Sequence, residues 1–325
     1  MMKTVKALQS LSVVVPVCNE QEVLVQFHER ISAVLNALSL ASEIIYVNDG
    51  SRDNTLDVLQ ALNRRDARVA VIDLSRNFGK EIALTAGLDH ARGDAVVVID
   101  ADLQDPPELI PEMLNVMNGG IDVVYAQRST RHGESFLKKF TAAGFYRFMR
   151  WFGRTTLPQN TGDFRILSRR AVEALREVHE SHRFMKGLFT WIGFPQKAVV
   201  YERDPRHAGK TKFNYWKLWN FAIEGITSYT AAPLKLATYM GLSVAGLAFL
   251  YAIVVIVKTF LFQEPVKGYP SLMVVILFLG GVQLVFIGFI GEYLGRTYDE
   301  SKRRPLYFLK AYLPAQSRGQ RDHAV

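Results

Sequence analysis

Two stretches near the carboxyl end carry no charge: 22 residues between Lys235 and Lys258 (LATYMGLSVAGLAFLYAIVVIV) and 24 between Lys267 and Glu292 (GYPSLMVVILFLGGVQLVFIGFIG). At about 1.5 Å of rise per residue, each is long enough as a helix to cross the roughly 30 Å hydrocarbon core of a bilayer. Neither has a polar face, which argues against two buried helices of a soluble domain. The expectation is two membrane spans joined by a short connector holding Lys258, Glu264 and Lys267. Lys210, Lys212, Lys217 and Lys235 precede them, and Arg296, Lys302, Arg303, Arg304 and Lys310 follow. The excess of positive charge on both flanks places both flanks, the large N-terminal region and both termini in the cytoplasm. Just before the first span, KFNYWKLWNFAIEGI sets Phe213, Trp216, Trp219, Ile223 and Ile226 at helical spacing, the pattern of a helix lying in the membrane interface. The expected organisation is an α/β domain over 1–210, interfacial juxtamembrane helices over 211–233, a transmembrane hairpin over 234–295 and a basic cytoplasmic tail over 296–325. Gly280, Gly281, Gly288 and Gly291 would let the spans pack against copies of themselves, which leaves a homo-oligomer open.

The net charge of +8 and pI near 9.5 call for an anionic partner: nucleic acid, a phosphorylated small molecule or a membrane surface. The membrane segments and the location of the basic residues disfavour nucleic acid. Cys18 is the only cysteine, which excludes an intrachain disulfide and a cysteine-rich zinc site and fits a reducing compartment. The opening MMKTVKALQSLSVVVPV has too short an apolar run for a signal peptide, and no small-residue cleavage site follows, so it reads as part of the mature protein.

Through the first 130 residues, apolar β-rich runs at 11–17, 42–49, 69–75, 94–100 and 122–128 alternate with helix-like stretches. In one of these, Leu24, Phe27, Ile31, Val34 and Leu38 share a face. Near-continuous apolar strands between amphipathic helices predict a parallel sheet covered on both sides. Polar residues follow every strand: Pro16, Asn19 and Glu20; Asp49, Gly50 and Ser51; Arg76, Asn77 and Lys80; Asp100 and Asp102; Arg128 and Arg131. They would gather at the carboxyl edge, where open α/β sheets bind ligands. No Walker P-loop is present, and no G-x-G-x-x-G follows a strand, so a bound nucleotide would lack a glycine cradle. The stretch VVVIDADLQDPPEL drives a buried strand straight into two aspartates. Asp102 with Gln104 would suit Mg²⁺ or Mn²⁺, which bind substrate phosphates through few protein oxygens. A solvated pair capping the next helix is the alternative.

The segments VVVPVCNEQE, IIYVNDGSRDNT, SRNFGKEIALTAGL, VIDADLQDPPE, TGDFRILSRRAVEAL and YERDPRHAGKTKFN resemble, in order, the motif series of polyprenol-phosphate glycosyltransferases of glycosyltransferase family two. That group includes bactoprenol glucosyltransferases and dolichol-phosphate mannose synthases, and the two-span tail is similar to the bacterial branch. The resemblance implies a GT-A fold, a nucleotide-sugar donor, a divalent metal, a polyprenyl (undecaprenyl) phosphate acceptor and a bacterial inner-membrane location. It implies that Pro16, Asn19, Glu20, Asp49, Lys80 and Asp100 form the nucleotide-sugar set, with Asp49 at the base or ribose. Asp102 and Gln104 would hold the metal.

A lipid phosphate is already an anion and needs no strong base, but it needs cations to approach a donor pyrophosphate. Arg128 and Arg131, with Arg203, Arg206, Lys210 and Lys212, would supply them. For the segment from Arg206 to Lys212, attraction to anionic membrane lipids is the alternative. Asp163 beside Arg165 reads alone as a salt-bridge partner, and the resemblance moves it to a catalytic role near the sugar, together with Asp102. His207 has no visible partner, and Lys138 and Lys139 read as a helix face or membrane contact. The expected reaction is inverting transfer of one sugar, with glucose from UDP-glucose leading and mannose, deoxyamino-arabinose or N-acetylhexosamine open. A processive polysaccharide synthase would want Q-x-x-R-W and more spans. A non-enzymatic lipid-binding or flippase-associated protein would not need an intact Asp100/Asp102 pair with Asp163.

Overall fold

The alternating pattern folds as its periodicity demands. The computed structural model describes residues 8–129, 161–181, 183–201, 232–262 and 268–316. The elements are β1 (Ser10–Val17), α1 (Leu24–Ala37), β2 (Ala41–Asn48), α2 (Thr55–Arg65), β3 (Val69–Leu74), α3 (Lys80–His90), β4 (Ala95–Val98), a 3₁₀ turn (Pro107–Leu109), α4 (Ile110–Asn118) and β5 (Val123–Arg128). They continue with β6 (Thr161–Ser168), α5 (Arg169–Arg176), α6 (Met185–Trp191), β7 (Gln196–Tyr201), α7 (Ala232–Phe262), α8 (Tyr269–Ser301) and β8 (Leu309–Leu313). The chain divides into two units, with α7 and α8 in one and every strand in the other.

The strands form one sheet in the order β7-β5-β6-β4-β1-β2-β3-β8. Strands β4, β1, β2 and β3 are parallel, as are β5 and β7, while β6 runs against both its neighbours and β8 against β3. All five expected strands are present, but the expected parallel sheet is mixed, because β6 and β8 enter from outside the alternating region. Successive residues of the central strands feed opposite cores. Val13, Val15, Ile44, Tyr46 and Val97 pack with α1, α2 and α4, and Val14, Ile45, Val47, Val96 and Val98 with α3, α5 and α6. On α1 the buried face is Leu24, Phe27, Ile31, Val34 and Leu35, and Leu38 lies one residue past the helix.

The segment expected as a tail contains a strand. Leu309–Leu313 pairs with β3, and the Ser75 amide donates to the Phe308 carbonyl at 2.9 Å. Its five residues, LKAYL, are exposed or half-buried and carry no period-two pattern, so the local sequence does not mark them as a strand. In the other unit, α7 and α8 run 31 and 33 residues and are long and apolar enough to cross a membrane. Leu247, Phe249 and Leu284 stand 68%, 67% and 71% exposed, so these helices bury no face inward over those positions. α8 passes through the expected boundary at 295, its last turns carrying the Glu292–Arg296 pair at 3.0 Å. The expected interfacial helix at 213–226 lies outside the described residues.

Candidate active site

Strand order reverses between β1 and β4, and the crevice at such a switch point is where open α/β sheets take ligands. Pro16 shows how the crevice opens. Along β1, Val14 accepts from the residue after β4 (Ile99 amide, 3.2 Å) and Val17 accepts from the residue after β2 (Asp49 amide, 2.9 Å). Pro16, two residues past Val14, would turn its missing N–H toward β4, but β4 has already left the ladder at the Val14↔Val98 pair. A proline therefore costs no ladder hydrogen bond there. The next loops are laced together. Asn19, with φ of 57°, takes a backbone shape asparagine tolerates well. Its amide donates to Ser51 Oγ at 2.9 Å, and its Oδ1 accepts from the Arg52 amide at 2.8 Å. The Glu20 amide donates to Thr55 Oγ1 at 2.9 Å.

Asp49 is spent on shaping the loop before α3. Its two oxygens accept the Phe78 and Gly79 amides at 2.7 and 3.0 Å. The expected contact to base or ribose would have to share a carboxylate already engaged. Gly50, at φ of 60°, is required: a Cβ there would meet the Asn77 nitrogen at 2.4 Å. This packing delivers Lys80, the first residue of α3, to the centre of the edge.

There Lys80 bridges two carboxylates, Asp100 Oδ2 at 2.7 Å and Asp163 Oδ2 at 2.5 Å. The antiparallel register explains the meeting: β4 and β6 pair Val98 with Arg165, so Asp100 and Asp163 each lie two residues further along at the same edge. Lys186 Nζ lies 3.7 Å from Asp163 Oδ1. Burial opposes ionisation of Asp163, but Lys80 and then Lys186 outweigh it and hold its carboxyl at about 2. Burial pulls Lys80 down, yet Asp100 and Asp163 overcome it and keep the ammonium more firmly protonated than a free lysine. For Asp100 burial prevails over Lys80, and its carboxyl rises. Arg165, expected as a salt-bridge partner, instead binds backbone: its guanidinium donates to the Gly162 and Asp163 carbonyls at 3.0 and 3.2 Å and lies 3.9 Å over Phe189. Burial lowers it to about 10.

Asp102 sits differently. Leu103 has φ of 59° with its side chain fully buried, a costly conformation for leucine that burial of its side chain supports. The turn it makes brings the Gln104 amide to Asp102 Oδ1 at 3.2 Å. Among the described residues Asp102 has no ion-pair partner, and no three His, Cys, Asp or Glu side chains cluster as a ready-made metal site. Gln104 is 4% exposed, and its side-chain nitrogen is buried without a partner. The half-buried Asp102 carboxylate fits a divalent ion that draws most of its shell from phosphate and water, whereas the unpaired Gln104 nitrogen is an N–H donor, so Gln104 could ligate only through its side-chain oxygen.

Arg128 ends β5 opposite Tyr201 on β7. It donates to the Tyr201 hydroxyl at 3.3 Å and lies 3.7 Å from Asp105, to which that hydroxyl itself donates a short hydrogen bond. Burial and then Asp105 push the Tyr201 phenol up to about 12. The structure thus brings together Lys80, Asp100 and Asp163, and separately Arg128 with Asp105. Arg131, Arg203, Arg206, Lys210 and Lys212, as well as His207, Lys138 and Lys139, lie outside the described residues. Sequence reasoning passed over Asp105, Tyr201, Glu81 and Lys186. Asp105 lies inside the quoted LQDPPE turn and could have been found, whereas RFMKGLF offers no signal for Lys186.

The sequence matches Glycosyl transferase family 2 over residues 12–176 and the GtrB C-terminal hairpin over residues 232–297. It is 50% identical over 311 residues to an uncharacterized glycosyltransferase, sll0501, of Synechocystis, covering 94% of this chain and 98% of that one. It is 47% identical over 300 residues to a prophage bactoprenol glucosyl transferase homolog of Escherichia coli, covering 92% and 98%. Among solved structures, mannosyl-3-phosphoglycerate synthase from Rubrobacter xylanophilus is similar at a TM-score of 0.46 and 19% identity, over 66% of this chain and 71% of that one. This GT-A glycosyltransferase, matched both over its sheet and over its hairpin, belongs to glycosyl transferase family 2.

Proposed function

We propose that the protein transfers one glucose from UDP-glucose to undecaprenyl phosphate, with inversion, at the cytoplasmic face of the inner membrane. Relatives named bactoprenol glucosyl transferase, 47–48% identical over 92% of the chain and matched through the hairpin, support the lipid acceptor. The observation that carries the mechanism is the clamping of Asp163 between Lys80 and Lys186. A carboxylate held at about 2 is a poor proton acceptor near neutrality. It is a fixed negative charge, suited to the positive charge that grows on an anomeric carbon as the leaving group departs. No base is needed, because the acceptor phosphate arrives ionised.

Lys80, between Asp100 and Asp163, sits where it can steady the donor sugar or its phosphates. Arg128, with its guanidinium fixed by Tyr201 and Asp105, would receive the acceptor phosphate together with Arg131, Arg203, Arg206, Lys210 and Lys212. Asp102, with Gln104, would hold Mg²⁺ or Mn²⁺, which when bound supplies charge neutralisation to the departing diphosphate. Pro16, Asn19, Glu20 and Asp49 would shape the nucleotide end of the crevice.

For topology, the pairing of β8 with β3 supports an even number of crossings. The chain before α7 and the chain after α8 meet in one sheet, which supports placing them on one side. The basic flanks assign that side to the cytoplasm.

Purified protein with UDP-glucose and undecaprenyl phosphate should release one UDP per hexose joined to a lipid monophosphate, with anomeric configuration opposite to the donor's. Mass spectrometry of the lipid and NMR of the anomeric proton read both. A pyrophosphate-linked sugar, a growing polymer or retained configuration would each sink the mechanism.

A further inference from the structure

Asp163 has two oxygens, and only one is fully accounted for. Lys80 takes Oδ2, while Oδ1 is buried, makes no hydrogen bond and has Lys186 at 3.7 Å. Lys186 stands on α6, whose Met185, Leu188 and Phe189 are buried in the core and whose first turn is tied to the residue next to Lys80. Glu81 Oε2 accepts the amide of Met185, the first residue of α6, at 2.9 Å. A second tie runs alongside: Thr85 Oγ1, which donates to the Glu81 carbonyl at 2.9 Å, accepts from Arg183 at 3.2 Å. Adjacent residues of α3 thus grip Asp163 from two sides, Lys80 directly and Glu81 through Met185 and Lys186.

We propose that Glu81 is a positioning residue for Asp163: by holding the start of α6 against α3, it keeps Lys186 at the Asp163 oxygen that Lys80 leaves unbound. The inference rests on Asp163 acting as the fixed charge at the sugar, but the positioning itself can be read without turnover. The groups that face Glu81 agree with a tuned site. Burial, and then the charge of Asp163, push its carboxyl up to about 7, while the Met185 amide, Lys80 and Lys186 pull the other way.

The test uses the full-length protein in detergent, with two readouts. In acetylation footprinting by mass spectrometry, Lys186 should react several-fold faster in Glu81→Leu than in wild type, with the exposed Lys197 of β7 unchanged as reference. Glu81→Gln keeps an oxygen for the Met185 amide and should restore the wild-type rate within about twofold. In turnover, Glu81→Leu should lower kcat about tenfold or more at a near-constant KM for UDP-glucose, with Glu81→Gln recovering most of it. Lys186→Met should give the same loss, and the double variant no further one, because the residues act in series.

Unchanged Lys186 reactivity in Glu81→Leu overturns the proposal. So does a kcat within about twofold of wild type, a Gln variant as poor as the Leu variant, or multiplying losses in the double variant. A structural cap alone would lower thermal stability without the kcat-against-KM split or the footprint. If Glu81→Leu does not fold, Lys186→Met decides: a kcat near wild type overturns the proposal and a loss of about tenfold supports it. A wild type that glucosylates no lipid sinks the proposed function, and the footprint still decides the role of Glu81.

Discussion

Two carboxylates of the same sheet edge live in opposite surroundings. Asp163 is buried between two lysines, and its charge is set by them. Asp102 is half-exposed, and the hydrogen bond it accepts comes from within its own turn. A clamped carboxylate can act only as fixed charge, because taking up another cation would mean displacing its lysines. An open one can bind an ion that arrives with its substrate. The contrast lies in the local geometry: an antiparallel partner strand carries Asp163 into the lysines, while a turn with a left-handed leucine holds Asp102 outward.

Substitutions can break that contrast. The largest effect is expected from Asp102→Asn, a loss of about a thousandfold or more in kcat with a melting temperature near wild type, since no ion pair is lost. EDTA should silence the wild type equally and added Mg²⁺ or Mn²⁺ restore it. A strongly lowered melting temperature in Asp102→Asn would show that the two sites are not distinct. Asp163→Asn should cost about a hundredfold in kcat and also stability, because Lys80 and Lys186 lose their shared partner. A melting temperature matching wild type would refute the clamp.

The pH dependence of unfolding sharpens the same point. The folded carboxyl of Asp163 lies at about 2, below its ordinary 3.8, so its stabilisation is present above about pH 4 and lost as pH falls toward 2. That amounts to about 2 kcal/mol, and Asp163→Asn should flatten this acid limb in denaturant titrations. Glu81 has the opposite sign. Raised from 4.5 to about 7, it favours the fold fully below pH 4.5 and loses that contribution as pH rises through 7. Glu81→Gln should remove the neutral slope and leave the acid limb intact. The smallest effect belongs to Arg128→Ala, about tenfold in the KM for lipid phosphate with kcat little changed. A kcat collapse there would move Arg128 from acceptor binding into the chemistry.

The first five strands, the face of α1 and the carboxyl-edge grouping were legible, because near-continuous apolar runs and a 3.6-residue pattern record which side chains are buried. Asp100, Asp102 and Lys80 could be named because the aspartates lie just past a strand and the lysine opens a helix. Asp163 could be named only through the motif resemblance, and its partner was misjudged: Arg165 looks adjacent in sequence, yet along a strand alternate residues share a face while their contacts come from elsewhere in the fold. Tyr201 and Lys186 were invisible as site residues, since nothing in YERD or RFMKGLF announces a neighbour 96 residues away, as for Asp105 and Tyr201, or 23, as for Asp163 and Lys186.

By itself the sequence determined which segments had to be buried and in which solvent. Near-continuous apolar runs between amphipathic helices committed residues 10–128 to a covered sheet, and charge-free runs of 22 and 24 residues committed α7 and α8 to an apolar environment. Both follow from the one-dimensional spacing of apolar and charged side chains. Tertiary structure alone decided the antiparallel insertion of β6 and the return of β8 to the edge of β3. With them it decided which carboxylate would be clamped and which left open. These depend on strand register and on contacts between residues far apart in the chain, and a pattern of local spacing carries no information about either.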